Sequence, residues 1–198
     1  MKICLFGCGS LGANTAINIS RRLGADAEFI LVDYDSIEHV NLANQPWFDV
    51  NIGQKKATVL CSMLYRTNGV KSEPLIRKVE KTMSFINEYR SLLDSVDLFV
   101  DCFDNIPSRK LTQNIARKIN RPILHAGFSE SIFLADWGTN FPLRDSDKAL
   151  TPICDRRDLA TLVVMGSAIT EFIVTRYHKT GIKHRKLLEI HHDIIKLW

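Results

Sequence analysis

Gly7-Cys8-Gly9-Ser10-Leu11-Gly12 stands between an apolar run, Ile3-Cys4-Leu5-Phe6, and a helix-like stretch from Leu11 to Leu23. A second apolar run, Glu28 to Val32, ends on Asp33. A glycine-rich turn between strand and helix, with an acidic residue about 20 positions later at the end of the next strand, is the fingerprint of a nucleotide-binding βαβ unit. Gly7 permits the tight turn, Gly9 lets phosphate oxygens approach the backbone, and Gly12 lets helix and strand pack closely. Ser10 and Leu11 open the helix, whose N-terminus offers unpaired N–H groups and a positive dipole end to an anion. Asp33, an acceptor-only carboxylate, suits ribose hydroxyls.

The rest of the chain repeats the alternation. The spacing predicts an irregular segment from Tyr34 to Asn51 with exposed Trp47 and Phe48, then a helix over 55–65. It predicts a strand at 75–79, a helix at 83–93, a strand at 96–100 ending on Asp101, and a helix at 107–119. Pro122 to His125 and Ser131 to Trp137 read as extended, Leu159 to Tyr177 as a long helix, and 187–190 and 194–195 as weak terminal strands. Strands alternating with helices imply a Rossmann-like α/β fold: a mostly parallel sheet with helices on both faces and antiparallel C-terminal strands. Residues 139–157 read as a polar loop crossing the sheet, and loops of that length inside compact domains are usually functional.

Composition excludes several classes. At 198 residues and 45% hydrophobic, the chain suits a single domain over 1–198. A net charge of +4, with Lys and Arg interspersed among acids, does not suggest a nucleic-acid surface. The five cysteines form no C-x-x-C pair, so a zinc ribbon or disulfide framework is not expected, and reduced thiols fit a cytoplasmic protein. No run approaches the ~20 apolar residues of a membrane helix. His191-His192-Asp193 suggests no metal site, because neighbours in a strand point to opposite faces.

Five ordered motifs sharpen the reading: the glycine turn; Asp33-Tyr34-Asp35; Asn41-Leu42-Ala43-Asn44-Gln45; Gly53-Gln54-Lys55-Lys56-Ala57; and Asp104-Asn105 followed by Arg109. In this order and spacing they resemble the ThiF/MoeB-type adenylyltransferase superfamily, which includes ubiquitin-activating enzymes. The resemblance implies a homodimeric enzyme that uses ATP and Mg²⁺ to turn a carboxylate into an acyl-adenylate. Asp33 would hold the ribose and Lys56 the phosphates, while Asn41, Asn44, Gln45 and Asp35 line the same site. Asp104 would bind Mg²⁺, or else cap the following helix. Arg109 either contacts a phosphate or pairs locally with Asp104 or Asp101. Cys154 matches the position where relatives keep an acyl-accepting cysteine, so it would pass the acyl group onward as a thioester or else be an unreactive loop residue.

Two departures from the pattern bear on catalysis. Asn44 stands where the family carries arginine, and the first strand begins at Lys2, without the family's preceding helix. Arg21, Arg22, Arg156 and Arg157 are candidate replacements for the lost charge. The acid is expected to be a small-molecule cofactor precursor, as in a compact methanogen branch that acts on the guanylylpyridinol precursor of iron-hydrogenase. The C-terminus of a ubiquitin-like or sulfur-carrier protein follows as the next choice. The alternatives are a non-catalytic nucleotide-binding partner subunit and an NAD-dependent oxidoreductase.

Overall fold

The computed structural model describes residues 1–129, 132–138, 160–191 and 194–197. Eight strands form one sheet in the order β3-β2-β1-β4-β5-β6-β7-β8. The parallel part comprises β1 (Lys2–Phe6), β2 (Glu28–Val32), β3 (Lys71–Leu75), β4 (Leu98–Asp101) and β5 (Ile123–Ser129). β6 (Ile132–Trp137), β7 (Lys186–His191) and β8 (Ile194–Leu197) continue it antiparallel. Among the described residues the helices are α1 (Ser10–Leu23), α2 (Lys56–Asn68), α3 (Thr82–Asp94), α4 (Ile106–Ile119) and α5 (Ala160–Thr180).

Strict alternation along each central strand sends side chains to two cores, as expected of a sheet covered on both sides. Ile3 and Leu5 of β1, with Phe29 and Leu31 of β2, face α1, α2 and α5 through Ala16, Leu60 and Ile173. Cys4 and Phe6, with Ile30 and Val32, face α3 and α4 through Phe85, Ile86 and Ile115. Continuous apolar runs are therefore required in β1 and β2. They explain why the sequence identifies these strands so readily.

The sequence expectation fails at β3, which lies at Lys71–Leu75 rather than 75–79. This is an edge strand bonded only to β2, and its side chains alternate between exposed and half-buried. Pro74 is tolerated there because an edge position can forgo a backbone donor. Of the apolar residues at 75–79, Leu75 closes β3 opposite Val32 and joins Val79 in the core on the α3 and α4 side, whereas Ile76 is exposed. Two short 3-10 turns, His39–Ala43 and Asp49–Asn51, order the segment expected to be irregular. Trp47 within it is 4% exposed, so it lends no apolar surface, whereas Phe48 is 67% exposed.

The chain turns left after β1 through β2 and β3, then right to β4, so the topological switch lies between β1 and β4. Ligands of such sheets bind at the carboxyl ends of the strands at that point. Gly12 sets how closely α1 approaches: a Cβ there would lie 1.9 Å from the Gly7 carbonyl oxygen. Gly12→Ala must therefore shift backbone. It is expected to destabilise the fold by about 2–3 kcal/mol, read as a lower urea midpoint at unchanged slope.

Candidate functional site

The switch point gathers the glycine turn, the end of β2, the start of α2 and the end of β4. Gly7 takes φ +88°, and its N–H donates to the Val32 carbonyl at 2.9 Å. Its missing side chain leaves room for the β4 turn, since a Cβ would meet Cys102 and Phe103 at 3.2 Å. Gly9 precedes α1 with no side-chain cap, and nothing lies within 4 Å of where its Cβ would be. The N-terminus of α1 thus lies at the glycine turn without a side-chain cap, as an anion site at a helix N-terminus requires.

Asp33 is 6% exposed and accepts two backbone bonds, from Cys8 N at 2.6 Å and Asp35 N at 2.8 Å. It therefore ties the glycine turn to β2, and each oxygen keeps a second lone pair for a ribose hydroxyl. Burial raises its pKa above the ordinary 3.8, while the two N–H bonds and Lys56 pull the other way.

Lys56 opens α2 and is 7% exposed, with its Nζ 3.4 Å from Asp35 Oδ2. Backbone bonds fix this geometry: Lys56 N donates to Asp35 O at 3.0 Å and Ile37 N to Gln54 O at 2.8 Å. The ammonium is consequently held two residues beyond Asp33, near the turn rather than in bulk solvent.

Asn41 is buried, and its Oδ1 accepts from Glu38 N at 3.0 Å, closing the first 3-10 turn. Asn44 Oδ1 accepts from Ser10 Oγ at 2.6 Å, a neutral contact across the start of α1 where the family pattern has a cation. Gln45 turns toward the interior, its Oε1 accepting from Trp47 Nε1 at 2.8 Å. That bond satisfies the indole N–H of the buried Trp47 and explains why this ring is internal.

On the β4 side, Asp104 is exposed, with one side-chain contact from Asn105 Nδ2 at 3.3 Å. The cap of α4 is Asn105, whose Oδ1 accepts from Ser108 N at 2.9 Å, so Asp104 is not the helix cap. Mg²⁺ commonly uses one or two carboxylates plus substrate phosphates and needs no all-protein cage. An exposed carboxylate in the turn that follows β4 fits that donor set. Among the described residues no group of three metal-binding side chains exists.

Arg109 pairs locally, with Asp101 rather than Asp104. Its Nη1 lies 3.4 Å from Asp101 Oδ2, and Nη2 donates to the Ala126 carbonyl at 2.9 Å. His125, wholly buried on β5, meets the same Asp101 oxygen through Nδ1 at 2.6 Å. Sequence reasoning passed over this histidine, although a polar residue closing an apolar strand was the available signal.

Arg21 and Arg22 lie in the last turn of α1. At 1.5 Å per residue that is about 17 Å from its N-terminus, too far to replace the missing arginine within this chain. Cys154, Arg156, Arg157, His192, Asp193 and the 139–157 loop lie outside the described residues. Burial pushes the thiols of Cys8, Cys61 and Cys102 up, which suits packing and not nucleophilic attack. Among the described residues no helix is long and apolar enough to cross a membrane.

Fold and site together define a doubly wound α/β protein with a glycine-rich turn and an acidic partner at its switch point, the arrangement used for nucleotides. The chain belongs to the ThiF family, whose profile matches residues 1–140. It is 29% identical over 126 residues to the SAMP-activating enzyme E1 of Haloferax volcanii, covering 63% of this chain and 44% of that protein. It is 30% identical over 131 residues to the adenylyltransferase and sulfurtransferase MOCS3 of Sus scrofa, covering 63% of this chain and 26% of that one. The chain thus spans less than half the length of these relatives. The crystal structure of E. coli MccB with ATP superposes with a TM-score of 0.75 at 20% identity, over all of this chain and 62% of MccB.

The raised pKa of Asp33 gives a testable sign. Its ionised form is disfavoured by burial, so this group's contribution to folding is complete below pH 3.8 and declines as pH rises through the raised value. A nucleotide that donates ribose hydroxyls to Asp33 needs the ionised form and shows the opposite trend. ATP affinity, titrated calorimetrically from neutral pH downward, is expected to fall at a pH above 3.8. Asp33→Asn should abolish that step and weaken binding at neutral pH by about 10–100-fold, the loss of one hydrogen bond to a charged group.

Proposed function

We propose that this chain is an ATP- and Mg²⁺-dependent adenylyltransferase that activates a carboxylate as its acyl-adenylate and releases pyrophosphate. One observation carries the reading: a continuous relay of contacts in which Lys56 pairs with Asp35, the Asp35 N–H bonds to Asp33, and Asp33 accepts from Cys8 in the glycine turn. An uncapped helix N-terminus with an ammonium in the same region suits a polyphosphate, and a buried carboxylate at the end of β2 suits its ribose.

In this proposal the triphosphate lies along the start of α1, and Lys56 exchanges its bond to Asp35 for a phosphate oxygen. An ionised carboxylate needs no general base. Its oxygen attacks the α-phosphorus, a new P–O bond forms, and the bond to the bridging oxygen breaks, the electron pair leaving with pyrophosphate. Mg²⁺ held by Asp104 would neutralise charge that grows on the departing group. Ser10 and Asn44 hold the mouth of the glycine turn, and Asp33 holds the sugar.

The names of the relatives bear on the acid. One activates SAMP, and another combines adenylyl with sulfur transfer. They support a carrier-protein C-terminus ahead of a guanylylpyridinol-type small molecule, and both belong in the assay. The proposal includes a cytoplasmic homodimer joined in part through the outward side of α5, where Val164 is 61% and Phe172 51% exposed. A downstream thiol or protein that accepts the acyl group is the corresponding partner. A pseudoenzyme is the second reading, favoured by the neutral Asn44.

Three measurements check the proposal. ATP with Mg²⁺ is expected to raise the melting temperature more than NAD does; greater stabilisation by NAD would point to an oxidoreductase. Light scattering should give a dimer mass, and a monomer would remove the α5 interface. Asp104→Asn should lower carboxylate-dependent ATP–pyrophosphate exchange by about 10²–10³ while weakening ATP binding far less, because charge develops mainly in the transition state. Cys154→Ala should leave that exchange nearly intact. Absence of exchange with every candidate acid would favour the pseudoenzyme, and unchanged exchange in Asp104→Asn would remove the metal assignment.

A further inference from the structure

Beneath the Asp104 turn lies a buried ionic group that adenylyl transfer does not itself call for. Asp101, the last residue of β4, is wholly inaccessible, as is His125 of β5, and Arg109 of α4 is 7% exposed. Asp101 Oδ2 accepts from His125 Nδ1 at 2.6 Å and faces Arg109 Nη1 at 3.4 Å. Its Oδ1 accepts from the Phe103 N–H at 3.2 Å. A carboxylate can only accept, so the imidazole nitrogen beside it is the donor.

The sheet is shaped to admit the guanidinium. Gly127 has no side chain where Arg109 crosses β5, and a Cβ there would lie 2.2 Å from Nη2. Burying such charges is unfavourable unless each is paired and hydrogen-bonded, and apolar residues would pack the same space at less cost. The arrangement also closes on itself. Asp101 holds Phe103, Asn105 caps α4 through Ser108, and α4 returns Arg109 to Asp101. Asp104 sits inside this loop.

We infer that His125 is a positioning residue: through Asp101 it fixes the turn that presents Asp104, although it lies beneath that site and not in it. The inference rests on the assignment of Asp104 to Mg²⁺-ATP proposed above. What the turn requires is a hydrogen-bond donor at the position of Nδ1. An asparagine, whose amide nitrogen falls near that position, should serve, and a leucine should not.

The test compares the full-length chain with His125→Leu and His125→Asn by two measurements. One is the Mg²⁺ concentration that half-saturates ATP-dependent thermal stabilisation. The other is hydrogen exchange of the Phe103 amide without nucleotide. His125→Leu is expected to raise the Mg²⁺ requirement by about 10–100-fold, the usual effect of losing an outer partner of a metal ligand. The Phe103 amide should exchange about 10-fold faster, as for one lost hydrogen bond, while the Leu5 and Leu31 amides are unchanged. His125→Asn should restore both. Unchanged values in His125→Leu, or equal losses in both variants with Leu5 and Leu31 also deprotected, would overturn the inference. If His125→Leu does not fold, Gly127→Ala displaces Arg109 instead, and the same two measurements decide. If ATP with Mg²⁺ does not stabilise the wild type, the adenylylation reading falls, and Phe103 exchange alone judges the brace.

Discussion

The buried carboxylate of Asp33 holds two turns together. By accepting from Cys8 N and Asp35 N it fixes the glycine turn after β1 and the departure of the chain from β2. The position of Asp35 then sets that of Lys56, because the Lys56 N–H and ammonium both bond to Asp35. One residue thereby relates the helix N-terminus of α1 to the cation at the start of α2. It adds to the backbone bond, Gly7 N–H to the Val32 carbonyl, that already joins the two strand ends. The burial that makes Asp33 a good organiser also raises its pKa, so organisation and ionisation oppose one another at this residue.

The opposite side of the switch point has its own organiser. Asp101 occupies for β4 the place that Asp33 occupies for β2, at the carboxyl end of the strand with an oxygen bonded to a backbone N–H two residues on. The two aspartates differ in their company. Asp33 is held by backbone N–H groups and keeps lone pairs for a ligand, whereas Asp101 is enclosed by Arg109 and His125. Asp104, three residues beyond Asp101, is left exposed. The fold thus keeps one acid for structure and one for solvent within a single turn.

Much of this was legible in the sequence, for identifiable reasons. β1, β2 and β4 are buried on both faces and carry continuous apolar runs, and the turns at their ends need glycine or acid, so local composition announces them. β3 was misplaced because an edge strand bonded on one side can be Lys-Ser-Glu-Pro-Leu, while Val79 after it packs without pairing. Trp47 was read as exposed because its polar neighbours gave no sign that Gln45 would satisfy its indole. The role of Arg109 was undecidable locally. Its partners come from β4 and β5, and only the packing of α4 against the sheet selects Asp101 over Asp104.

Gly127 carries a consequence for how such chains diverge. Its bare backbone is the space into which the Arg109 guanidinium fits, so any larger residue there displaces the arginine from its partners. Once the arginine is replaced by a short side chain, position 127 is released, and a residue that fills the vacated volume becomes favourable. The reverse order passes through a clash. Descent through this pair should therefore be directional, with loss at 109 preceding change at 127. Reconstructed ancestral sequences that pair Arg109 with a bulky residue at 127 would be evidence against such a history.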